Sequence, residues 1–120
     1  MWKVQQMNYI EERPWGKFEN LLDTDYCKVK RITVNPGQRL SYQYHHQRGE
    51  VWTVVKGVAK VTLDDAEGWY IEGEVIQIPI GVRHRVENDT EHELIFIEVQ
   101  HGTYFGEDDI VRLSDDYNRE

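Results

Sequence analysis

An all-β barrel or sandwich is the fold class this sequence predicts, and three observations carry it. Turn signals recur at intervals of about ten residues, the runs between them alternate apolar with polar side chains, and no stretch has the spacing of an amphipathic helix. The 120 residues fit one domain, with a barrel spanning about residues 9–119.

The first clear strand is CKVKRITV, with Lys28, Lys30, Ile32 and Val34 on one side and Cys27, Val29, Arg31 and Thr33 on the other. Asn35-Pro36-Gly37 is a turn. RLSYQYH alternates again and places Arg39, Ser41, Gln43 and His45 on one face. His46-Gln47-Arg48-Gly49 reads as a hairpin connection into EVWTVV, and Lys56-Gly57 separates that strand from VAKVTL. Asp64-Asp65-Ala66-Glu67-Gly68 reads as a polar turn. WYIEG, EVIQIP and VRHRVEN follow, punctuated by glycines and Pro79. ELIFIEVQ is nearly continuous apolar, as expected of a strand buried on both faces. The tail GEDDIVRLSDDYNRE offers one short helical turn at most.

Composition excludes several function classes. A formal charge of −8, from 22 acidic and 14 basic residues, argues against nucleic acid and against an anionic membrane surface. An anionic small molecule stays compatible if basic residues cluster locally. The single cysteine, Cys27, cannot form an internal disulfide, so a reducing cytoplasm is the expected compartment. No run has the length of a transmembrane helix, and MWKVQQMNYIEERPWG lacks the apolar block of a signal peptide.

Two spaced patterns carry the chemistry. One runs Gly37, Gln43, His45, Glu50, Gly57; the other Gly73, Pro79, Gly81, His84, Asn88. Gln43 and His45 lie two apart and share a strand face. Glu50 has the wrong parity for the same strand, but the intervening turn lets it face the same space from a neighbour. His84 alternates with Arg83 and Arg85; the arginines belong in water, which turns His84 inward with Val82 and Val86. A histidine in an apolar interior needs a partner, and a metal supplies one. Two imidazoles, a carboxylate and an amide oxygen suit Zn, Mn, Fe, Co or Ni, and leave open positions on the ion. Gln43, His45, Glu50 and His84 are therefore the expected ligands of one divalent ion.

These residues resemble the cupin superfamily, whose motifs G(X)5HXH(X)3-4E(X)6G and G(X)5PXG(X)2H(X)3N fit here without gaps, with Gln43 at the first histidine. RPWG, KVKRITVNPGQRLSYQYHHQR, IPIGVRHRVEN, IEVQHGTYFGEDDIVR and DDYNR look like type II phosphomannose isomerase over roughly residues 9–119. In that family the module is commonly fused behind a mannose-1-phosphate guanylyltransferase domain, and no such portion is present here. The resemblance implies a double-stranded β-helix, or jelly roll, that forms homodimers, holds a divalent metal and interconverts mannose 6-phosphate and fructose 6-phosphate. The family motif QMHHHRAEHW reads QYHHQRGEVW in this chain, with departures at Tyr44, Gln47, Gly49 and Val51. Valine in place of the family histidine at position 51 sets a second reading beside the isomerase: a non-catalytic, metal-containing cupin that binds a sugar or sugar phosphate.

Aldose–ketose isomerisation needs an electrophile, a base near carbon and an anion clamp. The metal is the expected electrophile and Glu98 the candidate base, since Glu98 and Gln100 share one face of their strand. Arg48, Lys30 and Arg112 match family positions and, with Arg39 on the Gln43 face, are candidates to hold a phosphate. Ser41 and Gln100 are candidates to contact sugar hydroxyls, while Trp15, Trp52 and Trp69 read as core.

Overall fold

The computed structural model describes residues 9–117; the signal-peptide reading of the first eight residues, and Asn118 and Arg119 of the closing motif, fall outside them. Eleven strands run in order: β1 (Tyr9–Arg13), β2 (Gly16–Asp23), β3 (Cys27–Val34), β4 (Tyr42–Tyr44), β5 (Arg48–Lys56), β6 (Ala59–Leu63), β7 (Ala66–Tyr70), β8 (Val75–Ile78), β9 (His84–Glu87), β10 (Leu94–Gly102) and β11 (Val111–Ser114). A six-stranded sheet has the order β1-β2-β3-β10-β5-β8, and a five-stranded sheet the order β11-β4-β9-β6-β7; every pairing is antiparallel. No helix among the described residues is long and apolar enough to cross a membrane.

The sheets pack face to face because each strand turns its apolar alternates inward. Ile32 and Val34 of β3, Trp52 and Val54 of β5, Leu94 and Phe96 of β10, and Val61 and Val86 of the smaller sheet form the core. Trp52 and Phe96 meet at 4.9 Å between ring centroids, and the Trp52 edge packs against His84 at 5.7 Å. Asn88 is fully buried and ties the ends of the two sheets together, its amide donating to the carbonyls of Val34 (3.0 Å) and His92 (2.7 Å).

Four local expectations are revised. The segment after β4 is not a hairpin: β4 and β5 belong to different sheets, so His46-Gln47 carries the chain across the barrel. The polar turn shrinks to Asp64-Asp65, both at positive φ (45° and 74°), which is the two-residue geometry matched to the twist of the β6–β7 pair. β10 is buried on one face only, because Leu94, Phe96, Glu98 and Gln100 point in while Ile95, Ile97 and Val99 are half covered. The tail forms β11 against β4 instead of a helical turn.

Two motif glycines have a clear steric reason. Gly57 has φ +87°, and a Cβ there would lie 2.6 Å from the Glu93 carbonyl oxygen, so no other residue closes the β5–β6 connection without a shift. Gly81, at φ +83°, donates its N–H to the His45 carbonyl at 3.0 Å. That bond holds the loop leading to His84 against the residue that follows β4.

Candidate metal centre

His45, Glu50 and His84 converge between the two sheets, each 3% exposed, with one ligand atom apiece within 4.8 Å of the others. Glu50 comes from β5 of the larger sheet; His84 comes from β9, and His45 follows β4, in the smaller one. Their approach therefore depends on the packing of the sheets and not on any single turn.

Backbone carbonyls aim both imidazoles. The His45 Nδ1–H donates to the Asp109 carbonyl at 2.6 Å, and the His84 Nδ1–H donates to the Val82 carbonyl at 2.9 Å. A carbonyl only accepts, so each Nδ1 carries a proton and each Nε2 turns toward Glu50, at 3.4 Å for His45 and 3.9 Å for His84. Burial pushes the His45 pKa down, more than the Glu50 charge raises it, which favours the neutral, ligating form. Burial alone would raise the Glu50 carboxyl, but His84, Arg48 and a hydrogen bond from Glu98 outweigh it and hold Glu50 well below the usual carboxylate range. The donor set thus fits a divalent ion: two oriented imidazole nitrogens and an ionised carboxylate in a dry site. Gln43 lines the same cavity and sits opposite His84 in the β4–β9 ladder. Its amide nitrogen donates to Ser41 Oγ at 3.0 Å, which leaves the amide oxygen as the atom it can offer an ion.

Arg48 reaches into this cluster. Its Nε donates to Glu50 Oε2 at 3.0 Å, its Nη2 lies 3.3 Å from His45 Nε2, and its buried Nη1 has no hydrogen-bond partner. Trp52 Nε1 donates to the other Glu50 oxygen at 2.9 Å. Above these groups a cavity of about 80 Å³ is lined by Arg13, Lys30, Arg48 and Arg112 as cations and by Glu98 and Glu107 as acids. That volume holds an ion with several waters, each needing roughly 10–15 Å³.

Glu98 lies in the cavity wall, 5% exposed, and shares a hydrogen bond with Glu50. Burial first, and the Glu50 charge second, push its pKa up to about 8, so in the metal-free chain Glu98 holds a proton at neutral pH. With a folded value above the ordinary 4.5, its contribution to stability is complete below about pH 4.5 and is lost as pH rises toward 8. Urea unfolding of the metal-free chain at pH 5 and pH 8 is expected to show Glu98→Gln gaining on the wild type as pH rises. A constant difference between the two would contradict this assignment.

Three sequence candidates for ligand contact lie outside the cavity lining. Arg39 is engaged bidentately by Asp116 at 2.7 and 2.9 Å, outside the cavity lining, because residues 39–41 leave the strand path that alternation assumed. Ser41 is fully buried and holds the Gln43 amide. Gln100 is fully buried and donates to Glu98 Oε2 at 3.2 Å, so it supports that carboxyl from behind. Lys30, Arg48 and Arg112 do line the cavity. Trp15 and Trp52 are core, but Trp69 is 55% exposed and donates to Asp89 at the surface. Val51 lies on the opposite face of β5 from Glu50 and Trp52, so its departure from the family histidine does not touch the cluster. Sequence reasoning missed Asp109, whose carbonyl aims His45 and whose carboxylate accepts the N–H groups of His46 (3.1 Å) and Gln47 (2.9 Å). It also missed Glu107 and Arg13. The signal for both acids was the run Glu107-Asp108-Asp109 placed directly before apolar Ile110-Val111.

Two facing antiparallel sheets with a His/Glu/His cluster between them define a double-stranded β-helix of the cupin class. The neighbours share that fold: the capsular polysaccharide assembling protein CapF from Staphylococcus aureus superposes with TM-score 0.78 at 24% identity, covering 92% of this chain and 35% of that one. A double-stranded β-helix protein from Klebsiella pneumoniae gives 0.70 at 21% identity, covering 78% and 80%. Residues 3–115 match the family described as "Mannose-6-phosphate isomerase C-terminal", and the chain belongs to that family. A mannose-1-phosphate guanylyltransferase from Escherichia coli is 50% identical over 107 residues, 89% of this chain and 22% of the relative. The alginate biosynthesis protein AlgA from Pseudomonas aeruginosa is 49% identical over 118 residues, 98% of this chain and 24% of its own. The chain thus spans less than a quarter of the length of these relatives, and its counterpart in the guanylyltransferases, which are enzymes, is their C-terminal part.

The expected isomerisation of mannose 6-phosphate to fructose 6-phosphate is corrected by these relatives. At about half identity they are named for guanylyl transfer and alginate biosynthesis, and likeness to one part of them carries no aldose–ketose isomerase activity to this chain. Glu98, the expected base, and Arg48, an expected phosphate contact, both line the cavity; burial and then the Glu50 charge raise the Glu98 pKa, and Arg48 is bonded to Glu50.

Proposed function

We propose that this chain is a metal-bearing cupin module that binds a phosphorylated sugar, without turning it over, in the manner of a binding or regulatory part of a larger biosynthetic enzyme. The observation that carries the reading is the buried His45–Glu50–His84 cluster at the base of a cavity walled by four basic residues, in a chain of net charge −8. Gln43 is the fourth ligand, and the ion is Zn, Mn, Co, Ni or Fe, as its nitrogen and oxygen donors suit. When bound, the ion supplies a Lewis-acidic point for sugar oxygens. Lys30 and Arg48 face the phosphate, while Arg13 and Arg112 add to the positive wall. Trp15, Phe18 and Leu40 give the cavity an apolar side suited to a sugar ring face. The name of the Escherichia coli relative includes a sugar phosphate, which agrees with this ligand class.

Calorimetric titration of metal-loaded and metal-free chain with a hexose phosphate tests the reading. The expected result is binding that tightens with metal and that the unphosphorylated hexose does not reproduce. Equal heats from hexose and hexose phosphate, or no heat from either, would contradict it.

A further inference from the structure

Lys30 and Arg48 are each 5% exposed, and both face the carboxylate of Glu107, a side chain 51% exposed. Glu107 Oε2 lies 2.9 Å from Lys30 Nζ and 3.9 Å from Arg48 Nη1, the guanidinium nitrogen that is buried without a hydrogen-bond partner. The cations are fixed in place: Lys30 sits in β3 with its ammonium 4.1 Å from the centre of the Phe18 ring, and Arg48 opens β5 bonded to Glu50. The anion arrives on a loop. Residues 103–110 leave β10 with the Thr103 N–H on the Gln47 carbonyl at 3.1 Å. They return through Asp109, which is bonded to His45, His46 and Gln47. Between these two anchors Glu107 dips from solvent to the cavity mouth.

Lys30, and the Arg48 nitrogen that Glu50 does not reach, need an anion, since a buried donor or charge without one is costly. The carboxylate that serves them here is the one group of the set standing half in water, so its exchange for another anion disturbs neither sheet. Its longer contact, at 3.9 Å, leaves the Arg48 fork incompletely used, whereas a phosphate with three oxygens can reach both cations at once. We infer that Glu107 is an internal stand-in for the ligand's anionic group: it occupies the Lys30–Arg48 site until a phosphate monoester displaces it, and so sets the affinity and anion selectivity of the cavity. The inference rests on the sugar-phosphate reading above and adds the residue that competes with that ligand.

Inorganic phosphate is the probe, titrated by calorimetry into the wild-type chain, Glu107→Gln and Asp108→Asn. The last removes one charge from the same loop at a carboxylate that accepts from the Tyr104 hydroxyl instead of facing the cations. If Glu107 holds the site roughly nine-tenths of the time, its removal tightens phosphate binding about tenfold, because apparent affinity scales with the free fraction. Asp108→Asn should leave the Kd within about twofold of wild type, and Glu107→Gln should leave metal content unchanged. Phosphate binding that is unaltered or weaker in Glu107→Gln, or a gain matched by Asp108→Asn, overturns the inference while the ligand reading stands. Absence of phosphate binding in all three chains overturns both.

Discussion

Replacing Glu50 with alanine is expected to destabilise the chain by about 3–5 kcal/mol, the usual cost of stripping one partner from a buried ion pair. Glu50 is 3% exposed, and its two oxygens accept from Arg48 Nε and Trp52 Nε1. Without the carboxylate, the buried Arg48 charge loses its hydrogen-bonded partner and keeps, among carboxylates, only the longer contact to Glu107 at 3.9 Å, and the indole N–H loses its acceptor. Glu50→Gln keeps the shape and one acceptor oxygen but removes the charge, so it should cost less and still fail to retain metal. Urea unfolding gives the first quantity and elemental analysis the second. A loss under about 1 kcal/mol for Glu50→Ala would mean that Arg48 escapes to solvent easily and that the buried cluster is not held as described.

The second large effect concerns the histidines. A divalent ion that binds the folded chain alone stabilises it by mass action, about 4 kcal/mol at a concentration roughly 1,000 times its Kd. This gain should appear as a raised unfolding midpoint for the wild type. It should vanish in His84→Ala and His45→Ala, each of which deletes one of the two aimed imidazole nitrogens. Asp109→Ala is a milder test, because it keeps the backbone carbonyl on His45 but releases the N–H groups of His46 and Gln47. A metal-induced shift that survives in both histidine variants would place the ion elsewhere.

Much of this site was legible in the sequence, for identifiable reasons. The glycine and proline framing fixed where strands stop, and period-two alternation put His84 inside with Val86 and Arg83 outside. Glu50 was correctly sent to a neighbouring strand, but that strand lies in the facing sheet and not across a hairpin, since parity cannot say which sheet receives the chain. Alternation failed for Arg39 and Ser41, where the backbone runs as irregular chain and makes only an isolated bridge between Arg39 and Glu87. It also could not tell a carboxylate that faces a ligand from one that shares a proton: Glu98 points inward as expected, yet burial, and then the Glu50 charge beside it, raise its pKa. Asp109 and Glu107 were hidden because their roles arise from a loop crossing the barrel mouth more than 50 residues from the groups they serve.

Titrating the metal-free chain with Co²⁺, and following the visible absorption that ligation by nitrogen and oxygen donors gives this ion, tests the central claim most directly. Saturation at one equivalent per chain in the wild type, with the signal lost in His84→Ala, is the predicted result. An absorption that never saturates, or one that His84→Ala reproduces in full, would contradict a metal centre built from His45, Glu50 and His84.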